Sequence, residues 1–156
     1  MYTEKINPEE TTEETNLSDA LATIRQKWLN IVVKLNGKMR ELSDLIDLQY
    51  EIYTRRQEAA EYHANLLNLI AKQSISYKKK YNECFKQYKE GSNVRYRSDK
   101  QIDQLIDGDL ADTRYTIDLL QTHADYIRET VKTFDSMIFG IKQRIEIQNI
   151  MNGGLA

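Results

Sequence analysis

Over the last third of this chain, Leu110, Thr113, Ile117, Leu120, Ala124, Ile127, Val131, Phe134, Ile138, Ile141, Ile145 and Gln148 follow one another in unbroken steps of three and four. Ten of the twelve are apolar. Such a period lines one face of an α-helix and no face of a strand. It predicts a helix of about 40 residues, about 60 Å long at 1.5 Å per residue. A helix of that length cannot pack throughout within one compact domain, so it needs another long helix or another chain beside it. Toward its end Met137, Phe139, Ile147, Ile150 and Met151 add apolar groups off the stripe. That surplus predicts self-association through Phe134, Met137, Ile138, Phe139, Ile141, Ile145, Ile147, Ile150 and Met151.

Composition carries the helical expectation to the rest of the chain. One proline and six glycines in 156 residues leave few breakers. The expected fold is all-α, with long heptad-patterned helices forming an elongated, coiled-coil-like, homo-oligomeric bundle. With 29 % charged residues and a mean hydropathy of −0.66, no run of about 18 apolar residues is available to span a bilayer. A soluble protein without a membrane partner is expected. The first residues lack a basic flank before an apolar core, so no secretory signal is expected. Cys84 is the single cysteine, which excludes an internal disulfide and fits a reducing cytoplasm.

Residues 1–16 hold five glutamates, the only proline and almost no large apolar side chain, and read as a disordered acidic tail. Asn16 or Ser18 can cap the next helix, with Asp19 three positions after Asn16. Leu17, Leu21, Ile24, Trp28, Ile31 and Leu35 then form a heptad seam that Asn36 and Gly37 interrupt. Met39, Leu42, Ile46, Tyr50 and Tyr53 continue it one position out of register. The seam returns as Ala60, His63, Leu67, Ile70, Ser74, Tyr77, Tyr81, Cys84 and Tyr88. One helix is expected from near Asp44 to near Glu90, closing an N-terminal helical region 17–90. A basic loop 91–98 follows, opened by Gly91, Ser92 and Asn93. The remainder, 99–151, is expected to be a short helix capped by Ser98 and bearing Ile102, Leu105 and Ile106, a stop at Gly108, a cap at Asp109, and the long last helix.

No catalytic constellation emerges. His63 lies on the seam and His123 beside it, neither with a second histidine at i+4, so metal-ligand spacing is absent and both read as packing residues. Cys84 reads as a small hydrophobe. The group Asp107, Gly108, Asp109 and Asp112 lacks the twelve-residue calcium loop and its closing glutamate; a helix stop followed by a cap accounts for it. With no phosphate-binding glycine loop either, the expectation is a protein without enzyme activity, metal or cofactor.

The charge distribution is uneven. Residues 72–100 carry nine Lys or Arg against three acids, net +6, while the rest of the chain is net −8, summing to the overall −2. Lys72, Lys78, Lys79, Lys80, Lys86, Lys89, Arg95, Tyr96, Arg97 and Lys100 are the candidate nucleic-acid contacts. On a projection at 100° per residue, Tyr77, Tyr81 and Tyr88 fall on the seam with Ile70 and Cys84, and Lys72, Lys79 and Lys86 fall opposite. Two roles are open to these tyrosines: packing residues with hydroxyls at the edge, which the projection favours, or platforms on which bases stack. No helix-turn-helix, zinc-finger or RNP pattern is present for base readout. Any binding should therefore follow charge, not sequence.

Short motifs in order along the second half resemble a known family, the UvsY-type recombination mediators of large tailed phages. Phe139, Gly140, Ile141, Lys142, Ile145, Glu146, Gln148, Met151, Asn152 and Gly153 resemble its aromatic-x-Ile-Lys-x-x-Ile-Glu ending. Asp107, Gly108, Asp109 and Leu110 resemble its acidic lead-in to the last helix, and 88–91 its Tyr-Tyr-x-Gly element after a basic helix. The resemblance implies an all-helical, ring-like homo-oligomer in the host cell cytoplasm that binds single-stranded DNA. It further implies that the protein loosens a single-strand-binding protein and helps load a RecA-like recombinase. The alternative is a coiled-coil scaffold or adaptor of a phage, its basic segment a solvated face.

Overall fold

The computed structural model describes residues 8–41, 44–91 and 98–153. Among them are four α-helices and no strand: α1 Pro8–Lys38, α2 Leu45–Glu90, α3 Asp99–Asp109 and α4 Ala111–Met151. The chain is all-α. Helix α1 begins at Pro8, which corrects the expected irregular tail over 8–16; residues 1–7 lie outside the described residues. Proline at a first helical position gives up only an N–H that has no partner there, and its φ is already helical. Helix α1 continues through Asn36 and Gly37, where an interruption was expected, to Lys38; the turn follows it, with Met39 N–H to Leu35 O at 3.1 Å and Arg40 N–H to Gly37 O at 3.2 Å. Asp44 leads into α2 with φ 64°, a left-handed conformation that a short polar side chain tolerates. Leu42 lies outside the described residues.

Two compact units divide the chain: Met1–Ala64 with His123–Ala156, and Asn65–Thr122. The division expected at the loop 91–98 does not coincide with them, because α2 and α4 are each long enough to enter both units.

In the first unit α1, the start of α2 and the end of α4 form a three-helix bundle. Pairs spaced along it fix its directions. Arg25 meets Tyr126, Trp28 meets Phe134 and Met39 meets Arg144, so α1 and α4 run parallel. Arg56 with Asp135 and Tyr62 with His123 make α2 antiparallel to α4. Leu21 and Leu35 of α1, Leu45, Leu48, Ile52 and Ala59 of α2, and Ala124, Ile127, Phe134, Met137, Ile138 and Ile141 of α4 form its core. Trp28 presents an edge to the Phe134 ring, with centroids 6.3 Å apart and planes at 65°, an arrangement favoured by the ring quadrupoles. The Arg144 guanidinium donates to Met39 O beyond the end of α1, where helix carbonyls lack intrahelical donors.

The sequence phase of α4 holds along its length: all twelve seam positions from Leu110 to Gln148 are buried or half-buried. In α2 the first half of the expected phase is corrected by one residue. Leu45, Leu48, Ile52, Ala59 and Leu66 are buried, whereas Ile46, Tyr50, Tyr53 and Leu67 are exposed. From Ile70 onward the expected phase is the observed one, its residues half-buried. The shift arises from the steps Tyr62, Leu66, Ile70 and Ser74, three successive fours that rotate the buried stripe relative to a strict heptad.

His123 is fully buried beside Tyr62, Oη to Nε2 3.0 Å, and its Nδ1 has no hydrogen-bond partner among the described residues. Burial, and secondarily the Arg25 charge, lower its pKa from the ordinary 6.5. The folded chain therefore binds this proton less readily than the unfolded chain. The contribution to stability is complete above pH 6.5 and falls as pH drops below it, by up to roughly 1.4 kcal/mol per pH unit. Urea unfolding from pH 7.5 to 5 is expected to show this slope in the wild type and a shallower one in His123→Phe. Phe134→Ala is expected to lower unfolding free energy by about 3–5 kcal/mol in the same assay.

Candidate nucleic-acid interface

The second unit is built on the C-terminal half of α2, with α3 packed against it. Ser98 caps α3 through a reciprocal box: its Oγ accepts from Gln101 N–H at 3.3 Å, and Gln101 Oε1 accepts from Ser98 N–H at 3.0 Å. The helix extends through Gly108 to Asp109 and ends at Leu110, which corrects the expected stop at Gly108. The N–H of Leu110 returns to Ile106 O at 2.9 Å while its own O accepts from Arg114 N–H at 3.0 Å. A single buried residue thus joins α3 to α4. Ile102, Ile106 and Leu110 form the buried cluster here, and Tyr77, Tyr81, Cys84, Phe85 and Tyr88 of α2 pack on it half-buried.

The tyrosines are packing residues in this structure, their hydroxyls directed to carboxylates. Tyr81 donates to Asp103, and Tyr88 to Asp109 at 2.5 Å. Lys89 lies 3.3 Å from Asp99 and 5.2 Å from the Phe85 ring centroid. Both ends of α3 therefore return to the same turn of α2, so α3 lies across that helix. The hydrogen bond to Asp103, then burial and neighbouring carboxylates, push the Tyr81 pKa up to about 12. Phe85, Asp99 and Asp103 carry no role in the sequence pattern, and Asp109, expected as the cap of the last helix, instead ends α3 and accepts from Tyr88. The i, i+4, i+8 spacing of Tyr77, Tyr81 and Phe85 carries the aromatic part; nothing local marks which aspartates reach it.

With the aromatics turned to α3, the lysines are left outward. Lys72, Lys78, Lys79, Lys80, Lys86, Lys89 and Lys100 are all exposed. Lys72, Lys79 and Lys86 recur every seven residues, about 10.5 Å apart along the axis, on the face opposite the tyrosines. Glu83 and Glu90 share that side of the helix, so the six lysines of 72–90 outnumber its acids three to one. Among the described residues only Lys89 of this set is ion-paired. Ile75 stands exposed between these lysines. Arg95, Tyr96 and Arg97 lie outside the described residues. No group of three or more metal-ligating side chains comes together among the described residues, and no helix among them is long and apolar enough to cross a membrane.

The expected interface residues on α4 separate into two sets. Phe134, Met137, Ile138 and Ile141 are spent on the core of their own unit, with Ile145 half-buried. The others, Phe139, Ile147, Ile150 and Met151, are 56–80 % exposed. At 100° per residue, Phe139, Ile147 and Ile150 fall opposite Phe134, Ile138 and Ile141. This end of α4 is apolar on two faces. Gly140 keeps room for the Met39 side chain, whose Cε would stand 3.4 Å from an added Cβ.

Comparison with protein-family models, curated proteins and solved structures returns no match for this chain.

Spectrophotometric titration is expected to find one tyrosine ionising near pH 12, and Tyr81→Phe is expected to remove that phase. The same substitution is expected to lower the midpoint of denaturant unfolding slightly, since it removes the hydrogen bond to Asp103.

Proposed function

We propose that this chain binds single-stranded DNA without sequence preference through the lysine face of α2, and acts as a recombination mediator. The observation that carries the reading is the partition of α2. Tyr77, Tyr81 and Tyr88 face α3, while Lys72, Lys79 and Lys86 stand exposed on the opposite side. Such a row meets phosphates and reads no base edges. The resemblance to UvsY-type mediators supplies the biological step: loosening a single-strand-binding protein and helping to load a RecA-like recombinase in the host cytoplasm. Assembly through the outer stripe Phe139, Ile147, Ile150 and Met151 would repeat the lysine row and turn weak contacts into tight ones by avidity.

A second reading, a scaffold that only bundles with partner chains, is favoured by the exposed apolar side chains Leu29, Val33, Ile46 and Tyr50 in the same unit as that stripe. Fluorescence anisotropy with a labelled oligonucleotide at two salt concentrations separates the readings. Binding at low salt, weakening with a slope of roughly −0.7 per phosphate neutralised, is the expected outcome; absence of binding at low salt would sink the DNA reading. Replacing Lys72, Lys79 and Lys86 with Ala is expected to reduce that slope by about 2. Ile147→Glu with Ile150→Glu is expected to lower the mass of the assembly by light scattering while leaving helical circular dichroism unchanged.

A further inference from the structure

We propose that α3 is a displaceable cover over a second strand-binding surface, the aromatic row Tyr77, Tyr81, Phe85 and Tyr88, and that single-stranded DNA takes its place. This rests on the single-stranded DNA reading of the lysine face and extends the site around α2.

The spacing of the rings is the first support. Tyr77 to Tyr81 is 6.5 Å between centroids, and Tyr81 to Phe85 is 6.4 Å with planes only 19° apart. Stacked nucleotides advance about 3.4 Å each, so successive rings match every second base. Lys89 closes the series, its ammonium over the Phe85 ring. Rings and cations in such series are what a strand without base readout requires.

The chemistry of attachment is the second. Three polar contacts from α3 to this surface are anionic: Asp99 at Lys89, Asp103 at the Tyr81 hydroxyl, Asp109 at the Tyr88 hydroxyl. A phosphate oxygen accepts from the same ammonium and hydroxyl donors. Three side chains, Ile102, Ile106 and Leu110, provide the buried apolar hold. A strand would replace carboxylates with phosphates and aliphatic side chains with bases, conserving the kind of contact at each point.

The build of α3 is the third. At 11 residues it is of a length at which an isolated helix is marginal. Its capping box closes within α3 itself, between Ser98 and Gln101, so the cap travels with the helix. At the other end one residue, Leu110, with φ −106° and ψ 11°, separates it from α4. A change of dihedral there redirects α3 without unwinding either helix.

Hydrogen exchange on the full chain, with and without saturating oligothymidylate at low salt, tests the displacement. Amides of 99–109 are expected to exchange faster when the strand is bound, while those of 124–141 do not change. Unchanged or slower exchange in α3 on a bound strand would overturn the proposal. An abasic oligonucleotide of the same length is expected to leave α3 protected; equal acceleration would show that charge alone opens it and would refute the stacking surface. Replacing Asp99, Asp103 and Asp109 with Asn is expected to tighten oligothymidylate binding about tenfold, the scale of removing three screened repulsions; unaltered or weaker binding counts against the cover. If the wild type binds no oligonucleotide at low salt, the single-stranded DNA reading itself fails and this proposal with it. Binding with a closed α3 removes the cover alone.

Discussion

A 41-residue helix with one continuous apolar stripe must find cover along its whole length, and the rest of the structure follows from how that cover is supplied. No one helix supplies it. Toward the C-terminus α1 and the start of α2 close over Ala124, Ile127, Phe134, Ile138 and Ile141. Near the start of α4, Leu110 joins the cluster made by α3 and the aromatics of α2. The two units are the result of one long helix being shared between two sets of neighbours. Along α2 the buried stripe drifts from a strict heptad, through the successive steps of four at Tyr62, Leu66, Ile70 and Ser74.

The second unit makes a division of labour on one helix. Half-buried tyrosines keep a hydroxyl that favours a partner, and Asp103 and Asp109 of α3 provide it for Tyr81 and Tyr88. The aromatic side of α2 is thereby committed to carboxylates and the opposite side is left to cations. Segregating charge in this way keeps the lysines away from the acids that dominate the remainder of the chain, which favours a local positive potential on a molecule whose overall charge is −2.

Much of the fold is legible in the residues because helices announce themselves by period. The α4 stripe is read correctly at all twelve positions, since almost every apolar group there that could define a second phase begins only at Met137. In α2 two stripes compete: Leu45, Leu48 and Ile52 against Ile46, Tyr50 and Tyr53. Both have helical spacing and similar hydrophobicity, and only the neighbouring helices decide between them. The start of α1 was obscured for another reason. Glutamates and threonines resemble a solvated tail by composition, yet Pro8, Glu9 and Glu10 are also what the first turn of a helix accepts. In the candidate site the lysine face was legible from phase alone. The contacts of Asp99, Asp103 and Asp109 were not, because they depend on α3 crossing α2, and nothing in an 11-residue amphipathic helix fixes its crossing direction.

The discontinuous make-up of the first unit bears on the order in which the chain acquires structure. Residues 65–122 form a contiguous unit, with contacts such as Tyr81 to Asp103 only 22 positions apart. The bundle joins Arg25 to Tyr126 and Met39 to Arg144 over separations of 101 and 105. Loop closure over such spans is entropically costly and slow relative to local pairing. On a ribosome, α1 has left the exit tunnel long before its partner in α4 is made, with the apolar face of Leu21, Trp28 and Leu35 uncovered meanwhile. Synthesis therefore favours a helical hairpin of α2 and α3 that is finished early, and a bundle completed only when the last 30 or so residues arrive, a delay during which neighbouring nascent chains can exchange α4.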